Sequence, residues 1–399
     1  MKMTVFDFPL SVKGFRPAVP DVTIYLSQGL VIAGFALSAV GHSQPSAAEL
    51  DLGTRVQPLP AANRFAEKGY FVWCGAPVKG PDGKYHLFYS RWPVNVGFAP
   101  GWAIHSEIAY AVADKPAGPY QHVNVALPPR GINPATGTKY WDADVTHNAN
   151  AFFHNGKYYL YYMGNYGDGK SYPNHRNHQR VGLAVAENPA GPWKRLDQPI
   201  IDITDDKKSF DSLCTTNPAA CMRPDGGVLV IYKAVQHLEG KERGGNVRFG
   251  AAIAKSPEGP YVKTPGKIFE AEKTGKEWML CEDPFIWFSP KYGNRYFSVA
   301  RDVVGTFSGA KGGLCMFQSE DGLTWMPSKN AKVLGDTYPL EDGSMSKSRI
   351  ERPFVLFEND EPSYLFGAAD GYLKNGRIST NVQFPIAPAH AADERSDTE

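Results

Sequence analysis

One local pattern recurs five times along the chain, and few folds accommodate it. Its clearest copy joins the apolar run 149–153 to a second run, 158–163, through Asn155-Gly156. Asn and Gly accept positive φ cheaply, so this dipeptide between aromatic-rich runs specifies a tight hairpin. The same plan surrounds Asp82-Gly83, Asp225-Gly226 and the turns at 289–294 and 358–362. Four of the hairpins open on polar groups set against an apolar strand: His147-Asn148, Asn217, Glu282-Asp283 and Glu351-Arg352; the first opens on Cys74-Gly75. Polar groups at the mouth of a buried strand are costly unless they are paired or used.

A second motif follows the first. Ala-Gly-Pro-Tyr closes residues 111–120, Ala-Gly-Pro-Trp closes 184–193 and Glu-Gly-Pro-Tyr closes 252–261, with a looser copy at 316–325. The closing aromatics Tyr120, Trp193, Tyr261 and Trp325 lie 73, 68 and 64 residues apart. Each interval holds two hairpins, hence about four strands, and radial repetition of four-stranded sheets is a β-propeller. The expectation is an all-β chain folded as a five-bladed propeller of antiparallel blades. The blades span roughly 70–130, 140–203, 209–270, 278–334 and 348 onward. The fifth is one strand pair short, and residues 50–70 are available to complete it from the other end of the chain.

This organisation predicts one propeller domain, residues 49–386, because blades bury their faces only against neighbouring blades. Residues 387–399 read as a flexible tail. Residues 1–48 read as a leader: the apolar run 29–40 is too short to span a bilayer, and small residues follow it, as in a secretory signal. Export to the periplasm or medium is expected, with no membrane association afterwards. A net charge of +1 gives no field that would favour nucleic acid. The five cysteines include no Cys-x-x-Cys pair, so no zinc site or other metal centre is expected, and no cofactor. Cys74, Cys221 and Cys281 read as buried free thiols; a Cys214–Cys221 bridge is left open.

In a propeller the first strand of each blade lines the central channel, so the five polar strand openings converge on one pocket. That places Asp142, Asp144, His147 and Asn148 with Asp211, Asn217, Glu282, Asp283, Glu351 and Arg352. The ends of second strands add Arg91, Trp92, Lys233, Arg301 and Asp302. Carboxylates facing one another across a pocket suit glycosidic cleavage, in which one donates a proton and another activates water or attacks the anomeric carbon. Repulsion and burial separate their pKa values into acid and base roles. The remaining groups, Trp92, Arg91, His147, Asn148, Asn217, Asp283, Arg301 and Arg352, are candidates to bind sugar. Arg180 and Arg248 are candidates to reach the rim and meet a substrate carboxylate or sulfate. His175 and His178 read as solvated loop residues. The insertions 166–178 and 236–245 are placed to wall off one end of the pocket, which favours terminal sugars.

Residues 70–370 resemble the five-bladed propeller glycoside hydrolases, family 43 and its relatives. The resemblance rests on the hairpin 152–162, the Gly-Pro-aromatic blade ends and Glu282-Asp283-Pro284. It implies an Asp base opening blade 1, a second Asp opening blade 2 and a Glu acid on a later blade. This chain departs from that pattern, with Cys74 or Gly75, Asn148 or Asn150, and Asn217 at the first three openings. Glu282 is expected to be the general acid and Asp144 or Glu351 the base, with Asp211 tuning position or pKa. The expected activity is hydrolysis of terminal sugars from plant or algal saccharides. A phosphorylase using Arg301, Arg352 and Lys233 for phosphate, and a non-catalytic glycan-binding propeller, are the alternatives.

Overall fold

A computed structural model describes residues 49–389 apart from 272–277, 347 and 374–375. The expected leader and most of the tail lie outside the described residues. The rest forms five four-stranded antiparallel sheets. Each inner strand packs against the inner strands of two other blades, and the fifth against the first, so the sheets close into the expected five-bladed propeller. The inner strands are Tyr70–Lys79, Val145–His154, Cys214–Met222, Cys281–Ser289 and Ile350–Glu358.

The hairpins form where the turn chemistry placed them. His154 pairs with Lys157 across Asn155 (φ 47°) and Gly156 (φ 80°), both left-handed as a two-residue hairpin requires. The Gly-Pro-aromatic motif closes blades 1 to 3. Its aromatic folds back onto the turn, with the Tyr120 and Tyr261 hydroxyls donating to the carbonyls of Pro116 (2.8 Å) and Pro257 (2.6 Å). The fourth copy does the same through the Trp325 indole N–H and the Gly322 carbonyl, 2.8 Å.

The ring is closed from the other end of the chain, as the strand count required. Arg64 and Phe65 pair with Val382 and Asn381 and supply the outermost strand of blade 5. A second tie lies beside it: Gln57 N–H donates to the Pro385 carbonyl (2.8 Å) and Ala387 N–H to the Arg55 carbonyl (2.9 Å). The Arg55 side chain is buried and meets Glu361 and the Tyr292 hydroxyl, both at 3.1 Å. Phe65 anchors the closing strand by its edge contact with Tyr89, ring centres 4.8 Å apart.

Each inner strand carries the same irregularity. Pairing to the second strand slips between Trp73 and Ala76, His147 and Asn150, Thr216 and Ala219, Glu282 and Phe285, and Glu351 and Phe354. The first residue inside every slip is left-handed: Cys74 (φ 53°), Asn148 (58°), Asn217 (48°), Asp283 (56°) and Arg352 (56°). These are five equivalent β-bulges, which add a residue and re-aim side chains. Proline follows the left-handed residue in blades 3, 4 and 5, where a missing N–H does no harm because the ladder is already broken. The strands therefore point consecutive side chains toward the channel instead of alternate ones.

Among the described residues all five cysteines are buried and unbridged, so the Cys214–Cys221 pairing does not form. His175 is fully buried, contrary to its reading as a solvated loop residue; it accepts from Gly169 N–H at 2.9 Å and bonds the Asn165 side chain at 3.0 Å. If the borrowed strand closes the ring, Phe65→Ala removes its main apolar anchor. The variant is expected to lose about 3–5 kcal/mol in a urea titration, with no strong effect on secondary structure in water.

Candidate active site

The bulges build the floor of a cavity at one end of the channel. Cys74 Sγ donates to Asn148 Oδ1 at 3.2 Å, Asn148 Nδ2 to Asn217 Oδ1 at 2.5 Å, and Asn217 Nδ2 to Asp283 Oδ1 at 2.7 Å. Arg352 pairs with Asp283 at 3.2 Å and reaches back to the Cys74 thiol. One side chain from each blade thus joins a closed polar ring across the channel. Burial pushes the Cys74 thiol up to about 12 against the pull of Arg352, so it stays protonated and can donate. Burial, opposed by Arg352 and reinforced by Glu282, also raises the Asp283 carboxyl.

The residues one step before the bulges stand on this floor and line the wall: Trp73, His147, Thr216, Glu282 and Glu351. The cavity has a volume of ≈ 500 Å³. Its aromatic side carries Trp73, Trp92, Trp102 and Tyr172, suited to sugar faces. His147 is clamped there, Nδ1 on the Ser106 hydroxyl at 2.7 Å and its ring against Trp102 at 5.4 Å. Burial, then Arg352 and Lys233, hold it well below the ordinary histidine value, so it remains neutral.

The opposite side carries a chain of charges. Lys233 Nζ lies 2.7 Å from Glu282. A single Arg301 nitrogen bonds Glu282 at 3.3 Å and Glu351 at 2.9 Å, and Arg349 adds a contact to Glu351 at 3.0 Å. The two carboxylates differ sharply in charge state. Burial opposes ionisation of Glu282, but Lys233 and then Arg301 outweigh it and keep the carboxyl below the ordinary value. Burial of Glu351, with repulsion from Glu282 and Asp283, overcomes its two arginines and lifts it to about 7. One acid is held ionised and its neighbour titrates near neutrality.

Of the residues singled out from sequence, this cavity gathers Glu282, Asp283, Glu351, Arg352, Arg301, Lys233, Trp92, His147, Asn148 and Asn217. Others stand elsewhere. Asp144 is held by Lys139 (2.7 Å) and the Gly167 N–H (2.8 Å) outside the cavity lining, so it is not placed to act as a base. Asp211 faces a different groove, bonded to Lys263 (2.6 Å) and the Tyr232 hydroxyl (3.1 Å), and tunes nothing at Glu282 by contact. Asp142 is a buried structural acid between Arg130, Arg195 and Tyr162. Arg91 is locked between Glu67 and Glu107, Asp302 binds the backbone of the 305–308 turn, Arg180 pairs with Asp202 and Arg248 with Glu270. Among the described residues no cluster of three side chains is arranged to hold a metal ion.

Sequence reading missed Arg176, Arg243, Arg349, Tyr172 and Gln179, which also line the cavity. Tyr172 and Arg176 sit on a short helix, α1 (Tyr172–Asn177), inside the 166–178 insertion. Its Ser171 hydroxyl accepts from the Asn174 N–H at 3.4 Å and caps the first turn. Arg243 comes from the 236–245 insertion. The two insertions are clipped together: Arg176 donates to the Arg243 carbonyl (2.9 Å) and Asn177 to the Glu242 carbonyl (2.7 Å). Both therefore reach the cavity as one wall.

Solved structures that share this architecture include several glycoside hydrolases. A family 117 glycoside hydrolase from the marine bacterium Zobellia galactanivorans superposes with a TM-score of 0.54 at 17% identity, over 83% of this chain and 89% of its own. The chain shares their fold. A second glycoside hydrolase gives 0.59 at 16% identity, covering 85% and 94%, and a thermostable family-43 enzyme 0.50 at 13%, covering 79% and 89%. No protein-family model and no curated protein sequence matches the chain. The expected resemblance to the five-bladed hydrolases is thus found in the fold. The bulges of blades 1 and 2 place Cys74 and Asn148 in the ring, and neither bulge carries the Asp that the resemblance implied.

The raised Glu351 carboxyl has a consequence for stability. Its folded value lies near 7 against an ordinary 4.5, so the folded state holds a proton that the unfolded state has lost in between. Stability from this group is full below the lower value and is lost as pH rises through the upper one. Glu351→Gln removes that loss. The variant is expected to be more stable than the parent at pH 8 by on the order of 2–3 kcal/mol and to show no such gain at pH 4. Denaturant titrations at the two pH values check it; an equal effect at both contradicts the charge assignment.

Proposed function

We propose that this protein is a glycoside hydrolase that removes terminal sugars, with Glu351 as general acid and Glu282 as the ionised partner. The observation that carries the reading is the pair itself. The two carboxylates share one Arg301 nitrogen inside a sugar-sized cavity, one ionised and one protonated. That is the division of labour glycosidic cleavage needs: a proton for the leaving oxygen, and a carboxylate to activate water or attack the anomeric carbon. The roles are the reverse of those expected from sequence for Glu282 and Glu351, and Asp144, the other base expected there, has no part in this reading. The joined insertions close one side of the cavity, which favours a chain end over a mid-chain segment. A plant or algal saccharide remains the proposed source, and export the proposed location.

The phosphorylase alternative loses its support. Lys233, Arg301 and Arg352, the side chains it would use for phosphate, are each paired with a carboxylate.

A screen of the purified protein against defined oligosaccharides tests the activity, with phosphate omitted and added. Hydrolysis independent of phosphate is expected. Glu282→Gln and Glu351→Gln should each lower kcat by roughly 10²–10⁴-fold while circular dichroism stays unchanged, and Asp144→Asn and Asp211→Asn should not. The rate should fall as pH rises past about 7, where Glu351 loses its proton. Full turnover by either glutamine variant removes that residue from the chemistry.

A further inference from the structure

We propose that the cavity is built for a sugar bearing a negative group, a uronate carboxylate or a sulfate ester, docked on Arg176 and Arg243; this rests on the reading of the cavity as a sugar site. The argument begins with charge. Seven cationic side chains line the cavity against three carboxylates. Lys233, Arg301, Arg349 and Arg352 each have a carboxylate partner. Arg377 pairs with Asp370, just outside the lining. Arg176 and Arg243 have none among the described residues.

Arg176 is the more informative of the two. It is only 7% exposed, and its bonds go to the Asn177 side-chain oxygen (3.2 Å) and the Arg243 carbonyl (2.9 Å), both neutral. A guanidinium that is buried without a counter-charge is costly, and an anion supplied by a ligand offsets that cost. Arg243 stands beside it, exposed, with its guanidinium over the Tyr172 ring at 5.0 Å. Tyr172 in turn meets Trp102 edge-on at 5.7 Å, so the cationic corner adjoins the aromatic wall. A pyranose stacked on that wall would present a ring substituent to both arginines.

The orphaned groups point the same way. Among the described residues Gln179 Nε2, Arg301 Nε and Arg352 Nη2 are buried in the lining without an acceptor, and each is a donor. Gln179 is 3% exposed and follows α1 by two residues. Donors left unmatched by acceptors call for a ligand rich in oxygen acceptors. Arg180 and Arg248, the side chains read from sequence as anion ligands, are paired outside this cavity, so the idea survives on different residues.

Binding to the full chain tests this without turnover. The probes are glucuronate and galacturonate for the carboxylate, galactose 6-sulfate for the sulfate, glucose and galactose as neutral controls, and inorganic phosphate. At least one acidic sugar is expected to bind roughly tenfold tighter than its neutral counterpart, and the difference should shrink in high salt. Which acidic probe wins identifies the substituent. Arg243→Met, at an exposed position, should remove most of the preference and leave neutral-sugar affinity unchanged; Arg176→Met, which also cuts a bond between the insertions, should remove most of the preference, while Arg176→Lys keeps part of it. Equal affinity for acidic and neutral sugars overturns the proposal, as does a preference that survives in the double variant. Phosphate binding as tightly as the acidic sugars also overturns it, since the sugar would then contribute nothing. The measurements are repeated in Glu351→Gln. An acid preference there, together with undiminished hydrolysis by that variant, would sink the assignment of the acid and leave the anion site standing.

Discussion

The molecule depends on five copies of one backbone distortion. A regular inner strand would show the channel every second side chain; a bulge with a left-handed first residue turns two neighbours toward it. Asn and Asp tolerate that conformation because their short polar side chains bond nearby groups, and three of the five positions hold them. Cys74 and Arg352 gain no such local help. Their strain is held by the ring of hydrogen bonds, in which each side chain satisfies the next blade's. A network of this kind is favourable only when complete, because a single missing partner leaves a buried polar group unmet. The ring is thus both the floor of the cavity and a seam that fixes five blades in one register.

Above this floor the wall carries the pair of glutamates. The two carboxylates proposed as the reactive pair come from adjacent blades, 4 and 5, and share a basic partner from the second strand of blade 4. Arg301 touches both and so does not distinguish them. The asymmetry arises because Glu282 also has Lys233, whereas Glu351 feels the two anions of its neighbour blade.

Much of this was legible in the residues, for definite reasons. Asn155-Gly156 and the Gly-Pro-aromatic blade ends encode turns through backbone conformation, which is local, so blade number and boundaries followed. Glu282-Asp283-Pro284 and Glu351-Arg352-Pro353 repeat one spacing against proline and could be aligned by eye. Asp144 and Asp211 misled because they sit near strand openings without occupying the bulge register, and a step of a few residues redirects a side chain completely. Arg176 and Arg243 lie in insertions with no period, where only the contact between two distant loops brings them to the cavity. The difference between Glu282 and Glu351 could not be read either, since it turns on distances to Lys233 and Arg301.

The borrowed outer strand has a meaning for how the chain matures. Arg64 and Phe65 leave the ribosome among the first residues of the domain, while Val382 and Asn381, to which they pair, leave among the last. During synthesis that short segment has no sheet to join, and the wheel stays split between blades 1 and 5. The hydrogen-bonded circle of side chains cannot be completed either, because Arg352 arrives late and Cys74 early. A closed pocket is therefore a property of the whole domain alone, and fragments released early would carry open sheet edges and unmet polar groups.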